Sequence, residues 1–171
     1  DIMTTVGDGL YQWGGSPVGS PDLLPGTEYM VCAASSALAS YWSGKWKHNR
    51  YTNTLAASYA LTTSNQNDVI RIMPGDYSAT ATLTWANSHT HLIGAHSASP
   101  WANSVKYTLS GNSAAVSPGL TVSGSDCYFR NIHFVDSQAH ANHHNFLLNT
   151  GSGNMYENCW FEGPTNATQN D

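Results

Sequence analysis

Two stretches of this chain decide its fold: Leu120-Thr-Val-Ser-Gly-Ser-Asp-Cys-Tyr-Phe-Arg-Asn-Ile-His-Phe134 and Leu147-Leu-Asn-Thr-Gly-Ser-Gly-Asn-Met-Tyr-Glu-Asn-Cys-Trp-Phe161. At a constant offset of 27 residues, Leu120 matches Leu147, Gly124 matches Gly151, Ser125 matches Ser152, Asn131 matches Asn158 and Phe134 matches Phe161. Phe129 and Tyr156 match as aromatics. A unit this short cannot enclose a core alone. A repeat of this length is expected to stack on its neighbour as one coil of a parallel β-solenoid. The matched Asn131 and Asn158 suit a coil corner, where an amide bonds its own backbone and the identical amide one coil on. The same offset sets Arg130 beside Glu157, an inter-coil ion pair.

Upstream, short apolar segments punctuated by Gly, Ser and Asn predict strands over 28–32, 69–72, 81–85, 91–94 and 106–109. The series continues over 120–122, 128–134, 146–148 and 155–161, with turns at 74–77 and 87–88. Residues 83–94 read as a degenerate earlier coil with different spacing. The best helix lies over 54–63, N-capped by Asn53 or Thr52 and rich in Ala, and it would cap the first coil. Residues 33–52 are ambiguous. The basic stretch 43–50 reads as a solvated or intersubunit loop.

Residues 1–27 carry Pro17, Pro21 and Pro25 and the Gly-rich Gly7-Asp8-Gly9-Leu10-Tyr11-Gln12-Trp13-Gly14-Gly15, which block long regular elements. This is expected to be an extended anchoring arm, with Leu10, Tyr11 and Trp13 packing on its own domain or on a neighbouring subunit. Residues 28–171 form the β domain, which is expected to continue beyond 171 or to be covered there by another subunit.

Composition narrows the function. A chain of 171 residues suits one domain. Only 10% of residues are charged, against roughly 25% in a typical soluble domain, while Ser, Thr and Asn number 51. Six basic residues and a net charge of −5 leave no electrostatic footprint for nucleic acid. No apolar run approaches the length of a membrane-spanning helix, so no membrane partner is expected. The chain opens on Asp1 without a basic and apolar leader, as a processed terminus or a piece of a longer chain would. Cys32, Cys127 and Cys159 have neither disulfide-framework nor zinc spacing.

The sequence 60–77, holding Asn67-Asp-Val-Ile-Arg-Ile-Met-Pro-Gly-Asp-Tyr77, followed by His91-Leu-Ile-Gly94 and the 120–134 segment, resembles the pectin-lyase-like right-handed parallel β-helix. The resemblance covers about 53–162 and implies an all-β right-handed parallel β-helix (solenoid) with a short N-terminal capping helix. The arm from Thr5 to Gly19 is similar to the N-terminus of uncharacterised tailed-phage virion structural proteins. That second resemblance implies a bacteriophage virion protein, a capsid decoration or fibre module, in an extracellular particle. Its implied partners are itself, as a homotrimer, and the major capsid or other virion proteins.

The β-helix family also holds polysaccharide lyases and glycosidases. Glycosidases need two carboxyls facing one bond, and lyases of this fold resemble each other in using Asp clusters for Ca²⁺. Here no adjacent or alternating Asp pair occurs, and Asp126 and Asp136 fall on different parts of one coil. The expectation is therefore a non-enzymatic protein with no catalytic residues and no cofactor. Histidine is the competing signal. His89 and His91 would share one face of a strand, and His140, His143 and His144 cluster; these are the only metal-ligand candidates. The sequon at Asn166 is assigned no role. The Trp residues are expected in core or subunit contacts, with surface glycans as an alternative partner. The rival readings are a tailspike-type glycan-binding or polysaccharide-degrading module, and a secreted bacterial adhesin or filament subunit.

Overall fold

In a computed structural model, residues 4–6, 10–13, 16–17, 26–46, 48–96, 104–110, 118–137 and 146–163 are described, the first three segments as backbone only. In chain order the elements are β1 (Thr4–Val6), β2 (Leu10–Trp13), β3 (Ser16–Pro17), β4 (Glu28–Val31), α1 (Ala39–Lys45), a 3₁₀ turn (His48–Arg50), β5 (Tyr51–Thr52) and α2 (Leu55–Tyr59). They continue as β6 (Asp68–Ile72), β7 (Gly75–Ala79), β8 (Leu83–Trp85), β9 (Thr90–Gly94), β10 (Val105–Leu109) and β11 (Leu120–Val122). The last five are β12 (Tyr128–Arg130), β13 (Ile132–Asp136), β14 (Leu147–Asn149), β15 (Met155–Glu157) and β16 (Trp160–Glu162).

The chain is mostly β, and nearly all of its pairing is parallel. From β6 onward it visits three sheets in strict rotation. The sheets run β5-β4-β6-β9-β12-β15, β7-β10-β13-β16 and β8-β11-β14. The register reproduces the sequence repeat: Leu120 pairs with Leu147, Tyr128 with Met155 and His133 with Trp160, each 27 residues apart. The repeat extends one strand further back, since Val105 pairs with Ile132 at the same offset.

Strand alternation builds the core. Tyr77, Tyr107, Phe134 and Phe161 occupy one inward register column, and Trp85 faces Phe129 with ring centres 5.2 Å apart. Phe134, only 1% exposed, stacks on Phe161 at 5.1 Å and 15°. The strand expected over 128–134 is two strands, broken by Asn131, and that expected over 155–161 is broken by Asn158. Both Asn residues have left-handed backbone, φ 60° and 49°. Asn tolerates that region through its short polar side chain, and the sharp corner turns the chain into the next sheet.

Several expectations are corrected. Helix α2 is five residues long and is capped by Thr54, whose hydroxyl accepts the Ala57 N–H, rather than by Asn53 or Thr52. Asn53 instead donates its amide to the Cys32 carbonyl. Leu55 is buried, and Tyr59 lies over Trp85 at 4.4 Å, so α2 covers the first end of the core. Residues 75–77 belong to strand β7, not to a turn, because Gly75 pairs with Val105. Part of the basic segment is helical, in α1. Within the arm, β1, β2 and β3 pair as a small antiparallel sheet of short strands.

Candidate functional site

The corner amides are in contact. Asn158 Nδ2 donates to Asn131 Oδ1 at 2.7 Å, and Asn131 Nδ2 donates to the Gly94 carbonyl at 3.3 Å. A second polar stack runs through Ser125 and Ser152, whose hydroxyls are 3.3 Å apart. Arg130 Nε lies 3.4 Å from Glu157 Oε1, and the Tyr128 hydroxyl also donates to Glu157. Both charged groups are about half exposed, which limits such a pair to about 0–1 kcal/mol.

His89 and His91 do not form a same-face pair on a strand. His89 precedes β9 in left-handed backbone, φ 52°, where its Nδ1 meets Asn65 Oδ1 at 3.0 Å and its Nε2 lies 3.7 Å from Asp126. His91 is buried in β9, and burial lowers its pKa below the ordinary histidine value, with the neighbouring His89 adding to the effect. Among the described residues no group of three His, Cys, Asp or Glu is placed to hold a metal ion. His140, His143 and His144 lie outside the described residues, as do the side chains of Leu10, Tyr11 and Trp13. Burial raises the pKa of the Cys127 and Cys159 thiols, which disfavours the nucleophilic thiolate. No described helix is long and apolar enough to cross a membrane.

The sequence reading missed two features. The first is a groove of about 1060 Å³ on the outer face of the β7-β10-β13-β16 sheet, walled by Ser36, Ala37 and Leu38. Its floor is a register column of outward residues, Asp76, Lys106 and His133, with Trp160 at the end. Lys106 Nζ sits 4.0 Å from Asp76, and His133, almost wholly buried, meets Glu162 at 2.9 Å. These residues are 27 to 30 apart in sequence, so no local motif announces them. The repeat offset alone could have aligned Lys106, His133 and Trp160.

The second feature is the last pass through the sheets, made by β14, β15 and β16. Each is the outermost strand of its sheet. Trp160 and Phe161 stand in register with the buried His133 and Phe134, and Leu148 and Met155 with the half-buried Thr121 and Tyr128, yet Leu148, Met155, Trp160 and Phe161 are 45%, 59%, 50% and 44% exposed.

These observations define a mostly β chain of parallel sheets whose last described strands expose apolar side chains, with a polar lateral groove beside them. Comparison with protein-family models, with curated proteins and with solved structures returned no match.

Proposed function

We propose that this chain is a right-handed parallel β-helix acting as a non-enzymatic, self-associating structural module, a capsid-associated decoration or fibre component of a tailed-phage virion. The ordered rotation through three parallel sheets supports the β-helix. The observation that carries the structural reading is where the charge goes. Glu28 pairs with Arg71, Asp76 with Lys106, Asp126 with His89, Glu157 with Arg130 and Glu162 with His133, in every case between adjacent strands or corners of successive passes. Asp68 accepts the backbone N–H groups of Thr27 and Thr63. Carboxylates engaged in this way stitch passes together, and none of these six described ones is left as one of a facing acid–base pair. The virion placement rests on the resemblance of the N-terminal arm, and a lateral homotrimer is the expected state.

Mass spectrometry of purified particles tests this reading. A stoichiometric, high-copy presence of the chain is expected, and absence from particles would overturn it. The outer groove favours a second reading, a glycan-binding module of tailspike type, because fixed donors and acceptors beside an exposed Trp suit a polyhydroxylated ligand. Depletion of host surface polysaccharide by the purified protein would select that reading.

A further inference from the structure

We infer that copies of this chain stack end to end, the last pass (β14, β15 and β16) of one copy docking on the first end (α1, β5 and Leu61) of the next. This rests on the self-associating structural reading above.

Four independent observations converge on the two ends. The exposed large apolar residues among those described are Leu38, Tyr41 and Leu61, at 52%, 55% and 41%, and then Leu148, Met155, Trp160 and Phe161. None falls between 62 and 147, where each pass is covered by the passes before and after it. Tyr51 of β5, the outermost strand at the first end, donates its hydroxyl to Ala39 of α1, and Tyr29 of β4 donates to the Leu61 carbonyl. Those bonds hold α1, with Tyr41, and Leu61 at the start of the stack, while Leu38 lines the wall of the lateral groove.

Charge divides in the same way. Residues 29–67 carry Lys45, Lys47 and Arg50 and no carboxylate. After Arg130 the chain carries Asp136, Glu157, Glu162 and Asp171 and no Lys or Arg. Among the described residues the first end holds Lys45 and Arg50, and the last pass holds Glu157 and Glu162, which Arg130 and His133 of the pass before partly neutralise. Head-to-tail contact sets the more basic end against the more acidic one, while tail-to-tail contact opposes like signs.

The backbone gives the third argument. β14, β15 and β16 present the outer N–H and C=O groups of three strands, a template for another chain. The fourth is α1, a seven-residue helix that buries none of its residues and has no side-chain N-cap bond. A helix this short does not hold itself together in water and draws its stability from packing. A contact between two different surfaces of identical copies is heterologous, and unless its rotation closes into a ring it extends as an open row.

The test uses two end-blocked variants. Tyr41→Asp spoils the first end and leaves the last intact; Met155→Asp does the reverse. Both side chains are more than half exposed, so folding is retained, and far-UV circular dichroism checks this. The reference unit is the particle formed by the double variant, whether one chain or a lateral trimer. Light scattering after size exclusion should show wild-type protein growing into rows with concentration, each single variant at the reference mass, and a 1:1 mixture of the two at twice that mass. Raising salt from 50 to 500 mM should weaken the mixed pair about tenfold, since screening acts on the opposed end charges. Repeating the mixture with Leu61→Asp and Leu148→Asp guards against a local folding defect. A mixture that stays at the reference mass overturns the inference, as does self-pairing by Tyr41→Asp alone, which would mean tail-to-tail contact. If the chain is abundant in particles while the mixture fails to pair, only this inference falls. If it is neither particle-borne nor self-associating, the structural reading falls with it.

Discussion

Truncating Phe134 and Phe161 separately to Ala measures how open the last pass is. The two rings occupy the same register column one pass apart. Phe134 is 1% exposed and packs between Phe161 at 5.1 Å, Phe146 at 5.7 Å and Tyr107 at 6.4 Å. Its removal leaves a closed cavity, and Phe→Ala at such a site costs about 3–5 kcal/mol. Phe161 is 44% exposed, so a little over half of its side chain is withdrawn from water. Full burial of Phe contributes about 1.5–3 kcal/mol, so roughly 1–1.5 kcal/mol is lost there. The lost stack on Phe134 adds about 0.5–1 kcal/mol. No cavity forms, because the site opens to solvent. The expected costs are therefore about 4 kcal/mol for Phe134→Ala and about 2 kcal/mol for Phe161→Ala. Urea unfolding in the doubly end-blocked background reads this difference without interference from association, provided fluorescence and circular dichroism transitions coincide. Costs equal within about 0.5 kcal/mol would refute the reasoning, because the last pass would then be as enclosed as the one before it.

The corner amide gives a second expectation. Asn131→Ala loses the bonds to Asn158 and Gly94 and forces Ala to φ 60°, for about 2–3 kcal/mol in all, whereas Asn131→Gly should cost about 1 kcal/mol less because Gly accepts that backbone. Equal losses in urea midpoint would show that the left-handed corner contributes nothing. The third concerns pH. Burial depresses the folded-state pKa of His91, so the unfolded chain binds the proton more readily below its ordinary value of about 6.5. Stability should therefore be full above that pH and fall as pH drops toward the folded value. His91→Gln should flatten that part of a stability profile measured between pH 7.5 and 5; an unchanged slope would exclude His91 as its source.

The 27-residue repeat was legible because matched residues in successive passes face identical surroundings, so the register from Leu120–Leu147 to Phe134–Phe161 could be written from the sequence. The adjacency of Asn131 to Asn158 and of Arg130 to Glu157 follows from that register. The earlier passes were obscured. Their connection from β9 to β10 spans ten residues, 95–104, where Asn131 alone joins β12 to β13, so Leu92 pairs with Phe129 at an offset of 37. The split of 128–134 into two strands was hidden for a different reason. Periodicity sees an apolar run and cannot see that Asn131 turns a corner within it.

The sequence by itself determined the stacking unit, the β character of the chain and the scarcity of free charge. Those follow from local spacing and composition, which survive without any knowledge of neighbours. Only the tertiary structure decided that Asp76, Lys106, His133 and Glu162 share one groove and that the described exposed apolar residues fall on the first and last passes. Such groupings depend on which strands become neighbours and on which strand has none. Exposure is a property of the whole stack: Phe134 and Phe161 read alike in sequence, and they differ because one has a further pass above it.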